Sequence, residues 1–226
     1  MLTESQTEKF NRLSEILRKE NLICNLTRIT DPKEIKKRHF DDSLAAVEII
    51  NKLKKTENPK IIDIGSGAGF PGLALAIAMP HIQLTSVEAT GKKINFQIKA
   101  AAELELTNVT AVHERAEELA RDSNHRDQYE FAVSRAVADL AILSELCLPF
   151  VKPGGYFLAW KGKKATEEIK NAANAIKTLG GQLKETIPYE IEGLSESSLQ
   201  IVVIKKKTQT PKKYPRPYKA IKQKPL

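Results

Sequence analysis

The sequence predicts an α/β fold: N-terminal helices followed by a doubly wound, mainly parallel seven-stranded sheet that ends in an antiparallel terminal hairpin. Three observations predict it. From Lys60 onward, short β-branched runs alternate with segments of helical period, the pattern of successive βαβ units. The stretch KIIDIGSGAGFPG (60–72) carries an apolar strand into four glycines within eight residues, the usual form of a strand turning into a helix around a ligand. No helix-length segment separates the last two strand-like runs, so they must pair antiparallel.

The elements follow in order. Over about 4–20, Phe10, Leu13, Ile16 and Leu17 recur at helical spacing. Asp31-Pro32 is a good N-cap and first-turn pair, and predicts a second helix running to about Lys55 with Ile35, Leu44, Val47 and Ile50 buried. Asn58-Pro59 breaks the chain, which sets a helical region at 1–57 and the α/β domain at 58–206. Strands are expected at 61–64, 82–87, 109–113, 131–134 and 156–160, and helices at 73–79, 92–106, 138–150 and 165–179. Gly180-Gly181 leads into the terminal pair, near 183–189 and 199–204.

Residues 207–226 stand apart in composition. From Lys205 to the end there are nine basic residues and no acid, whereas the rest of the chain is close to neutral, 27 basic residues against 28 acids. With four prolines among these cations, the segment is expected to be extended and disordered in isolation. It reads as a solvated, solubilising end, or as an arm that neutralises nucleic-acid phosphates while Tyr214 and Tyr218 offer stacking faces. No stretch approaches the roughly 18 apolar residues of a membrane span. MLTESQTEKF has neither the basic head nor the apolar core of a signal peptide. Cys24 and Cys147 belong to no metal-ligand spacing, so a reduced, cytoplasmic protein without a metal is expected.

In an open α/β sheet, ligands sit beyond the carboxyl ends of the strands. Gly65, Gly67 and Gly69 follow strand one, where backbone must approach the ligand closely. Glu88 follows strand two, where a carboxylate can take two ribose hydroxyls. Ala116-Glu117 follows strand three, able to present an N–H and a carboxylate to an adenine edge, and Ser134-Arg135 follows strand four. Both NAD and S-adenosylmethionine contain adenosine, so these positions do not separate them. Asp63 places a carboxylate where a cationic amino-acid group suits better than a pyrophosphate. Gly65 rather than Gly67 directly follows the strand, and the terminal hairpin departs from an all-parallel dinucleotide sheet. Together these select S-adenosylmethionine.

Six stretches carry a resemblance: NLTRITDPKEIKKRHFDDSL (25–44), DIGSGAGFPGLALAI (63–77), VEATGKKINF (87–96), ERAEEL (114–119), SRAVADL (134–140) and AWKG (159–162). They are similar to those of the bacterial 16S rRNA methyltransferase G family (RsmG, or GidB). The resemblance implies a Rossmann-like class I methyltransferase that transfers a methyl group from S-adenosylmethionine to guanine N7 in the decoding-region loop of 16S rRNA. The implied partner is 16S rRNA or the small ribosomal subunit, and a monomer is expected. Carried over residue by residue, cofactor contacts fall on Gly65 and Phe70, on Glu88, Ala89 and Thr90, on Ala116 and Glu117, and on Arg135. Many members have Asp-Ser where this chain has Glu88-Ala89; the longer carboxylate still reaches a ribose. The basic, proline-rich tail is not a general part of the family pattern, so its role is not inherited.

Guanine N7 is an acceptor without a proton. Its lone pair can attack a sulfonium methyl with no general base, so alignment and electrostatics carry the rate. No catalytic acid–base pair is therefore expected, and Arg135 is the candidate for a direct role. SRAV replaces the Asn/Asp-Pro-Pro-aromatic motif of exocyclic-amine methyltransferases, and Cys147 reads as core rather than nucleophile. Lys161, Arg115 and the cluster Lys33, Lys36, Lys37 and Arg38 are candidates for RNA contact, the cluster equally for a solvated helix face. His39 reads as a structural hydrogen-bonding residue. Two rivals of other classes are an NAD(P)-dependent oxidoreductase and a non-enzymatic RNA-binding protein on the same fold.

Overall fold

The structure, a computed structural model, describes residues 2–194 and 198–226. Helix α1 (Glu4–Cys24) opens on a capping box. Thr3 Oγ1 accepts from the Gln6 N–H, and Gln6 Oε1 accepts from the Thr3 N–H at 2.9 Å. Asp31 Oδ1 caps α2 (Pro32–Ile35) by accepting from the N–H groups of Lys33 and Glu34. The long second helix expected here is broken. A π-helical turn (Lys36–Asp41) and a short α3 (Asp42–Leu44) follow, and α4 (Val47–Leu53) restarts after a turn. The wide turn carries His39 and Phe40, and both rings meet Phe70 of the glycine loop. A uniform helix is given up for those contacts.

Seven strands form one sheet: β1 (Lys60–Ile64), β2 (Gln83–Glu88), β3 (Val109–His113), β4 (Tyr129–Arg135), β5 (Val151–Lys161), β6 (Gly181–Pro188) and β7 (Gln200–Lys206). Their order is β3-β2-β1-β4-β5-β7-β6. The first five run parallel, and β7 pairs antiparallel with both β5 and β6, as the missing crossover helix required. Along β5 the two faces alternate: Phe157 and Ala159 enter one core cluster, Tyr156, Leu158 and Trp160 the other. Helices α5 (Gly72–Ala78), α6 (Gly91–Glu103), α7 (Ala116–Leu119), α8 (Leu140–Cys147) and α9 (Ala165–Thr178) flank the sheet. Both faces are thereby covered, as a parallel sheet needs. The N-terminal helices share a third cluster with α5 and α6, in which Phe10, Leu13 and Leu17 meet Phe40, Phe70 and Phe96.

The chain lays β2 and β3 on one side of β1, then crosses to β4 on the other. That reversal opens a crevice beyond the carboxyl ends of β1, β2 and β4.

The segment after β7 is a correction to the expected disordered tail: it packs back on the domain. Tyr214 is buried and Ile221, in α10 (Tyr218–Gln223), is fully so. The Arg126 guanidinium donates to the carbonyls of Thr210 and Tyr214 at 2.8 and 2.9 Å. Arg216 pairs two-pronged with Glu145 of α8. Lys206 is also fully buried, its ammonium donating to the carbonyls of Leu148 and Leu179, and burial lowers its pKa to about 7. Composition counts these cations but does not reveal the acceptors waiting for them far upstream.

Candidate functional site

A cavity of about 510 Å³ occupies the crevice, within the roughly 300–1,000 Å³ usual for small-ligand sites. Gly65, Phe70, Glu88, Ala89, Ala116, Glu117 and Arg135 all line it. Thr90 does not; its N–H instead donates to Glu88 Oε1 at 2.8 Å.

The glycine loop is built for backbone approach. Gly65 has φ +67°, and a Cβ there would stand 2.7 Å from Val137 Cγ2. Gly67 has φ +59°, where a Cβ would meet only the Gly65 carbonyl oxygen at 4.0 Å, and its N–H donates to Glu88 Oε2 at 2.9 Å. Both oxygens of Glu88 are thus aimed by main-chain donors. Each keeps a lone pair for a ligand hydroxyl. Beneath the loop, Gln97 of α6 is completely buried. Its amide donates to Ser66 Oγ and to the Gly67 carbonyl, both at 2.8 Å, and its carbonyl accepts from Ser86 Oγ. Sequence reasoning missed Gln97. The available signal was a polar residue three positions after Ile94, on the apolar side of a predicted helix.

Asp63 is a correction. It lies under the site rather than in its wall, fully buried, with Oδ2 accepting from the Gly72 N–H at 2.8 Å and Oδ1 without a partner among the described residues. A Cβ on residue 72 would come within 2.8 Å of Oδ2, which explains the last glycine of FPG. Burial raises the Asp63 pKa to about 7, against the opposing pull of the Gly72 N–H and Arg135. The carboxyl end of β1 therefore organises the start of α5.

At the other wall, Arg135 is nearly enclosed. It donates to the Arg38 carbonyl at 2.8 Å, pairs with Asp42, and lies 3.3 Å from His39 Nδ1. His39 Nε2 meets Thr27 Oγ1 at 3.0 Å, and the ring stacks on Phe70 with centroids 4.8 Å apart. Burial, helped by the neighbouring Arg135 charge, lowers the His39 pKa to about 4. The expected structural role of His39 is present, though the ring also lines the cavity. Ser134, beside Arg135, is buried and donates to the Ile64 carbonyl, tying β4 to β1.

The candidates for RNA contact divide. Lys161 is ruled out for a free surface role: its ammonium is buried between the Ala138 carbonyl (2.8 Å) and Glu168 (2.6 Å), which also accepts from the Leu140 N–H that opens α8. Arg115 sits exposed on the cavity rim. Lys36 pairs with Asp41, Arg38 with Glu34, and Lys37 donates to the Gly193 carbonyl, so the basic cluster is partly spent within the protein. Cys147 is buried with its thiol pKa well above the usual range because of that burial, and it does not line the cavity. Among the described residues, no group of His, Cys, Asp and Glu could hold a metal ion.

Solved structures share this architecture at low identity. An S-adenosylmethionine-dependent methyltransferase from Aquifex aeolicus is 15% identical with a TM-score of 0.55, covering 85% of this chain and 97% of that one. A mutant of MtNAS in complex with S-adenosylmethionine is 11% identical with a TM-score of 0.59, covering 91% of this chain and 73% of that one. These likenesses show the fold of the class I methyltransferases. The family model described as rRNA small subunit methyltransferase G (GidB) matches residues 6–196, and the chain belongs to that family. Similar proteins named ribosomal RNA small subunit methyltransferase G include one from Alkaliphilus oremlandii, 44% identical over 95% of this chain and 88% of its own length. Another, from Clostridium botulinum, is 43% identical over 100% of this chain and 92% of its own length.

Proposed function

We propose that the protein methylates N7 of a guanine in 16S rRNA, using S-adenosylmethionine. The observation that carries this is the joint presence of family membership and a cavity whose acids and glycines follow successive strands. In this reading Gly65 and Phe70 bound the methionine side, and Glu88, flanked by Ala89 and Thr90, takes the ribose hydroxyls. Ala116 and Glu117 face the adenine, while Arg135 holds the wall nearest the methyl group.

When bound, S-adenosylmethionine would supply an electrophilic sulfonium methyl group, and because guanine N7 carries no proton, none of these residues is needed as a base. The protein's work is then alignment and exclusion of water. Arg135 fixes the N-terminal segment against the cavity through Arg38, His39 and Asp42. His39, kept neutral by burial and by the neighbouring Arg135, adds no further positive charge to that wall. Arg115, exposed on the rim and 3.9 Å from Glu117, and Lys93, which also lines the cavity, are the cations there for RNA phosphate.

Among the described residues no helix is long and apolar enough to cross a membrane. The reading makes the protein a cytoplasmic monomer acting on rRNA or the small subunit. Labelled methyl transfer to undermethylated small subunits and to free 16S rRNA, followed by chemical cleavage at 7-methylguanine, tests it and tells the two substrates apart. Calorimetric binding of NAD(H), with none of S-adenosylmethionine or S-adenosylhomocysteine, would overturn it in favour of an oxidoreductase. Cofactor binding without methyl incorporation into either substrate would favour a non-enzymatic RNA-binding protein.

A further inference from the structure

The cavity has one wall that comes from an unexpected part of the chain. Tyr218, the first residue of α10, lines it together with Leu146 of α8 and Ala116-Glu117 at the start of α7. The C-terminal segment reaches that point under several restraints. Arg126 holds the carbonyls of Thr210 and Tyr214, and Arg121 reaches the Pro215 carbonyl. Arg216 then meets Glu145, immediately before Leu146, through its guanidinium and its own N–H. Ile221, three residues after Tyr218 and on the same face of α10, is fully buried in the core. Tyr218 is therefore bracketed by an ion pair to the buried Glu145 on one side and a buried isoleucine on the other.

Such an arrangement does not suit a free arm. A segment serving only to grip phosphates has no use for tying up its own cation, yet Arg216 is committed to the buried Glu145. The exposed lysines of the segment, Lys207, Lys212, Lys213, Lys219, Lys222 and Lys224, remain for solvent or nucleic acid, but Tyr214 is buried and cannot offer a stacking face.

We propose that the C-terminal segment is a strap that closes the cofactor cavity, with Tyr218 forming the aromatic wall against the adenine. This rests on the cofactor reading above, in which Ala116-Glu117 marks the adenine end. An aromatic face beside a purine contributes through stacking and exclusion of water, and its removal weakens binding measurably. Tyr218 acts as a binding residue, remote from the methyl group.

The test is calorimetric binding of S-adenosylhomocysteine and of methylthioadenosine, which keeps the adenosine but lacks the amino-acid end. The proteins compared are the wild type, Tyr218→Phe and Tyr218→Leu. Leucine preserves apolar packing against the core, so folding is retained, and a thermal melt of each free protein checks it. Tyr218→Leu is expected to weaken both ligands by a similar factor, about tenfold, with Tyr218→Phe close to wild type. Unchanged affinity for both ligands in a folded Tyr218→Leu protein would overturn the strap's role while leaving the cofactor reading intact. Weakening confined to S-adenosylhomocysteine would overturn the adenine placement. A wild type that binds neither ligand would refute the cofactor reading, and this proposal with it.

Discussion

Replacing Arg216 by Ala isolates the contact that fastens the C-terminal segment. Glu145 is entirely buried, and Arg216 supplies it with donors at 2.9 Å (Nε), 2.7 Å (Nη2) and 2.8 Å (the main-chain N–H). Removing one member of a buried pair costs about 3–5 kcal/mol, because the remaining charge is left without its partner. Two features reduce that here: the Arg216 side chain is 25% exposed, and the main-chain donor survives the substitution. A loss of about 2–3 kcal/mol follows. For a chain of this size each kcal/mol moves the midpoint by about 2–4 °C, so the variant should melt roughly 4–12 °C lower. Differential scanning calorimetry reads the shift, and limited trypsin digestion reads the segment itself, with faster cleavage at Lys212, Lys213 or Lys219. The double variant Glu145→Leu with Arg216→Leu should recover much of the loss, since it leaves no buried charge behind. A single variant that melts within about 1 °C of wild type, with tryptic cleavage unchanged, would refute the docking reasoning.

Other perturbations probe the floor of the site. Asp63 titrates near 7 in the fold against 3.8 in the free chain. The folded state therefore holds the extra proton between those values, so the contribution of Asp63 to stability falls as pH rises through that window and levels off above it. Asp63→Asn should remove that decline, becoming more stable than wild type at pH 8 by up to about 4 kcal/mol, as read by urea melts at pH 4, 6 and 8; parallel curves for the two proteins would count against it. With the decline gone, the opposite slope from His39 should emerge, stability rising between about 4 and 6.5 because the fold keeps that ring neutral where the free chain protonates it. Gln97→Met leaves the Ser66 and Ser86 hydroxyls and the Gly67 carbonyl without their amide partner. It should cost about 1–3 kcal/mol and weaken S-adenosylhomocysteine binding several-fold, checked by melts and calorimetry on the same samples. Gly72→Ala sets a methyl group 2.8 Å from Asp63 Oδ2 and 3.1 Å from Leu84 Cδ2. A loss of about 1–3 kcal/mol is expected from the overpacking, measurable in the same urea titration.

Much of the site was legible because its elements are local. The glycine loop, Glu88, Ala116-Glu117 and Arg135 each sit at the end of a strand that period and turn residues reveal, and a parallel sheet brings successive strand ends to one edge. The contacts that escaped are of another kind. Lys161 was expected on a surface turn, yet its ammonium reaches Glu168 and the Ala138 carbonyl across the packing of α8 and α9. Asp63 had the right position for a ligand contact, but its carboxylate turns to the Gly72 N–H. The second helix carried a strong cap at Asp31 and still broke into a π-helical turn, because packing against Phe70 outweighed helical regularity.

The sequence by itself determined the order of strands along the chain, the antiparallel end of the sheet and which residues stand at four strand ends. Spacing, caps and glycines act within a few residues, and those signals need no knowledge of what lies opposite. Only the tertiary structure decided the fate of the C-terminal cations. Arg216 and Glu145 are 71 residues apart, and a charge is solvated or buried according to what faces it, which no local pattern records.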